Sequence, residues 1–222
     1  MAERNVTLES YALEQVRPGH VVGLGSGRAA ERFVRALGAR VGAGLAIRGV
    51  ATSEATAKLA RSLAIPLVAL DEVESIDLAV DGADEVDPQG GLIKGYGGAL
   101  LREKVVATSA ARALILVGEE KLVPQLGTRG RLPLEVLPFA WASVRRRLED
   151  LGIPGTPRPQ PSDNGNALVD CKVGPLADPA GLDRTLHAIP GLLETGLFLD
   201  LRATIVIEHD ERIEIRTPGG DA

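Results

Sequence analysis

The sequence predicts an α/β fold, because apolar runs alternate with helical patterns throughout its first half. Such alternation is typical of strand–helix–strand units, whose strands align in a largely parallel sheet. From Leu132 the order becomes strand, helix, two strands, helix and strand, which is the ferredoxin-like order. We therefore expect a Rossmann-like, mostly parallel sheet domain with an inserted α+β ferredoxin-like small domain.

The first half contains the elements of the predicted parallel sheet. One helix is expected to begin at Ser53, since a serine oxygen can accept a hydrogen bond from an N–H group that the first helical turn leaves unpaired. In chain order, the predicted segments are strand 20–24, helix 29–41, strand 45–51, helix 53–62, apolar runs 65–70 and 76–80, helix 99–112 and strand 113–117.

The second half contains the predicted small domain. Asn164-Gly165 indicates its central hairpin, because this dipeptide readily adopts the positive φ values of a tight turn. The expected segments are strand 132–137, helix 139–151, strands near 156 and at 167–173, helix 182–189 and strands 192–199, 203–208 and 212–216. The last two strands are expected to return to the larger sheet, so the predicted domains are 1–130 plus 200–222 and, inserted between them, 131–199.

Composition limits the possible functions. The 222 residues are 45% hydrophobic and 25% charged, as in folded globular enzymes. A net charge of −5 without a sustained basic stretch gives little support for a nucleic-acid partner. No signal segment or membrane span is recognisable, so we expect a cytoplasmic location. The single cysteine, Cys171, is expected to be inert core packing, and no histidines have metal-ligand spacing, so we expect no bound metal.

Two acids follow the predicted strand 76–80. Asp81 and Asp84 are expected at its C-terminal end, where open α/β sheets place their ligand sites. This placement indicates acid–base chemistry on a small anionic substrate. Nearby, Glu103 has apolar residues one turn away on either side, so at least one charge among Arg102, Glu103 and Lys104 should face an interior or a cleft. A structural ion pair is an equally acceptable interpretation of that charge.

A glycine loop, Gly23-Leu24-Gly25-Ser26-Gly27, connects the first predicted strand to a helix. Its N–H groups and the following helix N-terminus could bind an anion. The loop lacks the Lys-Ser/Thr ending of a P-loop and does not complete a dinucleotide fingerprint. Arg28 favours phosphate, since guanidinium can bind phosphate oxygens bidentately. The loop alone is equally compatible with a plain tight turn.

Further segments complete an ordered set of motifs. They are Ala51-Thr52-Ser53, Val80-Asp81-Gly82-Ala83-Asp84-Glu85, Ile93-Lys94-Gly95, Gly97-Gly98-Ala99-Leu100, Arg102-Glu103-Lys104, Lys121, Leu132-Pro133-Leu134-Glu135-Val136, Asp163-Asn164-Gly165-Asn166, Ile189-Pro190-Gly191 and Thr195-Gly196-Leu197-Phe198. With the glycine loop, these segments make the chain resemble ribose-5-phosphate isomerases of the A type over essentially its whole length.

The resemblance implies interconversion of D-ribose 5-phosphate and D-ribulose 5-phosphate through a cis-enediolate, in the non-oxidative pentose phosphate pathway, without a metal or an organic cofactor. It implies that Glu103 moves the proton between C2 and C1. Asp81, Asp84 and Lys94 would assist ring opening, proton transfer between O1 and O2, and oxyanion stabilisation. The expected substrate-binding residues are Gly25, Ser26, Gly27, Arg28, Thr52, Ser53, Gly82, Ala83, Gly95, Gly97, Gly98 and Lys121. A homodimer is the family expectation, with a tetramer as the alternative.

The chain departs from the family pattern in two places. The family commonly continues its glycine loop with Ser-Thr, whereas this chain has Arg28-Ala29, and we hypothesise that Arg28 replaces the lost hydroxyl contacts to phosphate. Many relatives also have a phosphate-binding lysine in an N-terminal helix, where this chain has Asn5-Val6-Thr7. Arg4 is a candidate replacement for that lysine.

Other functions on the same scaffold have less support. A sugar-phosphate sensor of transcription usually carries a helix-turn-helix, and none is predicted ahead of the sheet. An amino-sugar-phosphate deaminase usually employs a histidine, and the motif segments contain none. A CoA transferase needs a CoA site, which we do not identify. The combination of Glu103 with Asp81, Asp84 and Lys94 favours an enzyme over a sensor.

Overall fold

The structure, a computed structural model, describes residues 6–210 and 212–217. Arg4, the candidate replacement for the family's lysine, lies outside these residues. The helices and strands are α1 (Leu8–Glu14), β1 (Val21–Leu24), α2 (Arg28–Gly42), β2 (Arg48–Ala51), α3 (Glu54–Ser62), β3 (Leu78–Asp81), β4 (Glu85–Val86), β5 (Leu92–Ile93), α4 (Leu100–Thr108), β6 (Ala113–Gly118), β7 (Arg131–Val136), α5 (Trp141–Asp150), β8 (Gly155–Pro157), β9 (Ala167–Lys172), α6 (Pro179–His187), β10 (Leu192–Thr195), β11 (Leu197–Phe198), β12 (Thr204–Glu208) and β13 (Ile213–Arg216).

The chain forms two compact units. The first contains the chain up to Gly82, Arg102–Glu120 and the segment from Leu201 onwards, and the second contains Ala83–Leu101 and Lys121–Asp200. This grouping differs from the predicted boundaries at 83–101 and 121–130. The physical reason is that β4 and β5 pair with each other and with β11, so the segment that follows Gly82 belongs to the second unit by its hydrogen bonds.

The first unit is built on a six-stranded sheet in the order β13-β12-β6-β3-β1-β2. Its neighbouring strands are parallel apart from the β12–β13 pair, so the predicted mostly parallel sheet is confirmed. β2 lies on one side of β1 and β3 on the other, which makes the carboxyl ends of β1 and β3 the topological switch point. Ligands bind at such points in open α/β sheets.

One apolar run of the first unit is not a regular strand. Residues 65–70 contribute only a bridge between Leu67 and Gly49, because Pro66 has no N–H group to donate to a neighbouring strand. Ser53 does begin a helix as predicted, since it is the N-cap of α3 and its Oγ accepts a hydrogen bond from Thr56 N at 3.1 Å.

The second unit contains the predicted ferredoxin-like arrangement. Its four-stranded sheet has the order β10-β7-β9-β8 with antiparallel neighbours, and β9 separates β7 from β8 as in a split βαβ unit. The predicted strand 192–199 is two strands in different sheets. Gly196 is the point of change, because its N–H donates to Pro133 O at 2.7 Å while its carbonyl accepts from Lys94 N at 2.9 Å.

Each unit has its own hydrophobic core. In the first unit, Val80 of β3 and Phe33 of α2 belong to one buried cluster. In the second, Leu134 of β7 and Leu148 of α5 share another, which includes Cys171. Cys171 is 1% exposed, as predicted for core packing, and burial raises the pKa of its thiol to about 12. Among the residues that the structure describes, none of the helices combines the length and apolar character of a membrane span.

Candidate active site

The switch point brings the glycine loop against Asp81. Gly25 N donates to Val80 O at 2.9 Å, so the loop remains beside the end of β3 after β1 has ended. A Cβ on Gly25 would lie 2.3 Å from Asp81 Cγ, which explains why glycine occupies this position. Ser26 N and Gly82 N donate to Oδ1 of Asp81 at 3.1 and 2.8 Å. Four predicted site residues are therefore in contact.

Four hydroxyl groups form a hydrogen-bonded cluster beside this loop. Oγ of Ser26 lies 2.8 Å from Oγ1 of Thr52 and 3.0 Å from Oγ of Ser53. Thr56 is the fourth member and was not among the predicted site residues. Its Oγ1 donates to Gly25 O at 2.9 Å, so it holds the loop that carries Ser26. The Ser-x-x-Thr spacing at the start of α3 indicates a helix N-terminus, but it gives no sign of this contact with the glycine loop.

The glycine loop ends at the N-terminus of α2. Gly27 is the N-cap, with a φ of 86° that L side chains rarely adopt. Because Gly27 has no side chain to cap the helix, the N–H groups of the first turn are left for water or a ligand. Arg28 is the first helical residue and is exposed. Backbone N–H groups beside a guanidinium are a suitable combination for a phosphate group.

Glu103 lies in the first turn of α4, on the face that Val106 shares, and is only 5% exposed. Arg102 is half-buried, and its Nη1 donates to Oε1 of Glu54 at 3.1 Å. Lys104 is also half-buried. Glu103 is therefore the buried member of these three adjacent charged residues. This agrees with the expectation that at least one of them faces an interior or a cleft. The N-terminal end of a helix favours a carboxylate at this position.

Asp84 and Lys94 are neighbours at one end of the β4–β5 ladder. Glu85 pairs with Ile93, and Asp84 and Lys94 occupy the next positions on the two strands. Oδ2 of Asp84 accepts a hydrogen bond from Tyr96 N at 2.9 Å. Lys94 is 3% exposed, and its Nζ lies 5.6 Å from the centroid of the Phe198 ring, within cation–π range. The second unit thus brings a predicted acid and a predicted cation together.

The segment after Lys94 needs glycine at two positions. Gly95 and Gly98 have φ values of 102° and 89°, and Gly98 N donates to Gly95 O at 3.0 Å, which closes a turn ahead of α4. Gly97 between them is exposed. Of the other predicted residues, Ala83 is half-buried, and Lys121 is half-buried at the end of the 3₁₀ turn after β6.

An arginine–aspartate pair supports the turn between Gly95 and Gly98, and the sequence alone does not reveal it. Arg158 of the β8–β9 connection binds both oxygens of Asp170, through Nε at 2.9 Å and Nη2 at 2.7 Å. Burial by itself would raise the pKa of Asp170, but the hydrogen bonds from Arg158 and Arg131 outweigh it and hold that pKa below its usual value.

The hydroxyl of Tyr96 stays protonated at neutral pH. Burial, followed by the nearby acids Glu85 and Asp84, raises the pKa of Tyr96 to about 12.

Two other buried acids hold loops. Glu85 accepts hydrogen bonds from Gly127 N at 2.7 Å and Arg129 N at 2.9 Å. Oε1 of Glu135 accepts from three side chains of the hairpin turn, Ser162, Asn164 and Asn166. Within 6–210 and 212–217, no group of three or more His, Cys, Asp or Glu side chains is arranged to hold a metal ion.

Comparison with known proteins identifies the family. The sequence model of ribose 5-phosphate isomerase A (phosphoriboisomerase A) matches residues 48–212. A ribose-5-phosphate isomerase A of Thermomicrobium roseum is 49% identical over 212 residues, covering 92% of this chain and 90% of that protein. One from Bradyrhizobium diazoefficiens is 43% identical over 229 residues, covering 95% of each.

Solved structures agree with these matches. Ribose 5-phosphate isomerase A from Methanocaldococcus jannaschii has a TM-score of 0.90 and 34% identity, covering 96% of this chain and 97% of that one. A D-ribose-5-phosphate isomerase solved in complex with phospho-erythronic acid also has a TM-score of 0.90, with 36% identity, covering 95% and 96%. Similarity of sequence and fold across nearly the whole length means that this chain belongs to the ribose 5-phosphate isomerase A family and isomerises ribose 5-phosphate in the pentose phosphate pathway.

Proposed function

We propose that Glu103, Asp81, Asp84 and Lys94 carry out this isomerisation, without a metal ion or an organic cofactor. The observation that carries the proposal is burial. Asp81 and Lys94 are each 3% exposed and Glu103 is 5% exposed, although charged side chains are almost never so buried unless they are paired or functional. Glu85 and Glu135 are also buried, so the proposal adds to burial the position of Asp81 at the carboxyl end of β3, where open α/β sheets bind ligands.

In the proposed mechanism, the Glu103 carboxylate removes the proton from C2 of the open-chain aldose and returns it to C1. A cis-enediolate forms between these steps, and the product is the ketose. A positioned base of this kind contributes about 10²- to 10⁴-fold. Asp84 and Lys94, adjacent on the β4–β5 ladder, would move the proton between O1 and O2 and stabilise the negative oxygen. One preorganised donor at an oxyanion is typically worth about 3 kcal/mol of barrier.

Substrate binding is proposed at the predicted residues. Gly25, Ser26 and Gly27 offer N–H and hydroxyl groups beside the N-terminus of α2, and Thr52 and Ser53 extend the hydroxyl cluster. These groups suit phosphate or sugar hydroxyls. One solved relative was determined in complex with phospho-erythronic acid, a phosphorylated sugar acid. This complex supports the proposal that the site binds a phosphorylated sugar. The remaining proposed contacts are Gly82, Ala83, Gly95, Gly97, Gly98 and Lys121.

The reaction is tested by following ribulose 5-phosphate formation from ribose 5-phosphate in the presence of EDTA. We expect the turnover number to be the same with and without the chelator, because the proposed proton transfers use only protein side chains. Loss of turnover in EDTA that a divalent cation restores would contradict the metal-free reaction.

Arg28 is proposed to bind the substrate phosphate in place of the family's hydroxyl pair. Replacing Arg28 with Ala should raise KM for ribose 5-phosphate about tenfold or more, the effect of losing one charge-assisted contact, with kcat changed little. Arg35→Ala removes a second exposed arginine of α2 and should leave KM unchanged. A KM of Arg28→Ala equal to that of the parent protein would rule out the contact.

A homodimer in the cytoplasm is proposed as the working form, with a tetramer as the alternative. The proposal for the assembly rests on the family resemblance. The location is supported by the substrate, since the charge of a phosphate ester keeps it in the compartment where it is made. A net charge of −5 supports the proposal that no nucleic acid is a partner.

A further inference from the structure

The peptide group between Gly95 and Tyr96, next to the proposed site, forms hydrogen bonds through both its N–H and its carbonyl. The N–H of Tyr96 donates to Oδ2 of Asp84 at 2.9 Å. The carbonyl of the same peptide group belongs to Gly95 and accepts from Nη2 of Arg158 at 3.0 Å. A cation on the carbonyl polarises the peptide and strengthens its N–H as a donor, because hydrogen bonds in a chain reinforce one another. Arg158 is thus linked to Asp84 through a single peptide.

Arg158 is fixed in place by the small sheet. Asp170 binds it bidentately, and Nη2 of Arg131 donates to the same carboxylate at 2.7 Å. The side chain of Arg158 is 15% exposed, and its Nη1 also donates to Tyr96 O at 3.2 Å. A guanidinium that binds one carboxylate and two successive carbonyls has little freedom to move, and lysine cannot reproduce this geometry.

The turn between Gly95 and Gly98 packs against Arg131 and Arg158. The guanidinium carbon of Arg131 lies 4.5 Å from the centroid of the Tyr96 ring, and the Tyr96 hydroxyl donates to Arg131 O at 3.3 Å. A Cβ on Gly98 would lie 3.5 Å from Nη1 of Arg158. The backbone between Gly95 and Gly98 therefore lies directly on the arginine pair.

We propose that Arg158 is a positioning residue for the isomerisation, which orients the Asp84 carboxylate through the Gly95–Tyr96 peptide. This inference rests on the proposed catalytic role of Asp84. It assigns a function to the β8–β9 hairpin of the small sheet, which supplies no proposed catalytic side chain itself.

The proposal predicts the effect of Arg158→Ala on the reaction. We expect kcat to fall about 10- to 100-fold, the range found when the outer partner of a metal ligand is removed. KM should change less than kcat, since Arg158 is not proposed to touch the substrate. Arg158→Lys should be intermediate. Arg145→Ala, which breaks the exposed Arg145–Glu149 pair of α5 in the same unit, is the matched control and should keep the parent kcat.

A double-mutant cycle with Asp84→Asn separates positioning from general support of the fold. If Arg158 acts through Asp84, Arg158→Ala should lower kcat less than about twofold in the Asp84→Asn background, because interacting residues are not additive. The same fold-loss in both backgrounds would overturn the inference alone. An Asp84→Asn variant with the parent kcat would overturn the proposed role of Asp84, and the inference with it. If Arg158→Ala does not fold, Arg158→Lys is used in the same cycle with the same criteria.

Discussion

Replacing Glu103 with Gln is expected to lower kcat for ribose 5-phosphate isomerisation about 1,000-fold, the middle of the range for a general base. Gln has nearly the same volume and can form hydrogen bonds, but it cannot accept the C2 proton. Because Glu103 is only 5% exposed, bulk water has little access to act as a substitute base. KM should change less than kcat, since the carboxylate acts on the reacting carbon and not on the phosphate.

The matched control is Glu31→Gln. Glu31 also lies in the first turn of a helix, α2, but it is exposed. This substitution removes the same favourable interaction with a helix N-terminus, worth about 0.3 to 1 kcal/mol, without removing the proposed base. Activity within twofold of the parent protein is expected. If Glu103→Gln retained more than a tenth of the parent kcat, Glu103 would not be the base.

The elements that were predicted from sequence are those with a strong periodic pattern. β6 and β7 are each six residues long, and their apolar runs are visible in the sequence. β4 and β5 have two residues each, too few for any period to appear, and β5 also pairs with β11, which lies about a hundred residues further along the chain. The boundary between the units was displaced for the same reason.

The site follows a similar rule. Asp81 and Asp84 could be predicted because both follow a recognisable strand, and the end of a strand in a parallel sheet has a known significance. Thr56 and Arg158 could not, since their partners are distant in the chain. Thr56 binds a carbonyl 31 residues away, and Arg158 binds one 63 residues away. A side chain that supports a loop across such a separation leaves no local pattern.

Burial of an acid does not by itself identify chemistry, because Glu85 is fully buried whereas Asp84, the proposed catalytic neighbour, is half-buried. Asp84 and Glu85 are adjacent in the sequence, yet β-strand alternation directs their side chains to opposite faces. Glu85 binds Gly127 N and Arg129 N, whereas Asp84 binds Tyr96 N beside Lys94. The position of the partners therefore helps to distinguish an acid that holds a loop from an acid that is proposed to take part in the chemistry.

Replacing Gly25 with Ala should abolish most activity and destabilise the first unit. The added Cβ would lie 2.3 Å from Cγ and Oδ1 of Asp81 and 2.6 Å from its Cα. The Cα is backbone within β3 and cannot move aside without disturbing the sheet, so the glycine loop must shift instead. We expect kcat/KM to fall at least about 100-fold, since a displacement of about 1 Å can have that effect. Unfolding should become easier by about 1 to 3 kcal/mol, as in overpacked cores.

Gly42→Ala provides the comparison, because a Cβ on Gly42 of α2 would meet nothing within 4 Å. That variant should keep full activity with equal or slightly higher stability. If Gly25→Ala loses activity but melts close to the parent temperature, the loop has moved without damage to the sheet, and the loss measures how closely Ser26 and Asp81 must be placed. If it keeps the parent kcat/KM, contact between the glycine loop and Asp81 is not needed for the reaction, and the proposed roles of both must be abandoned.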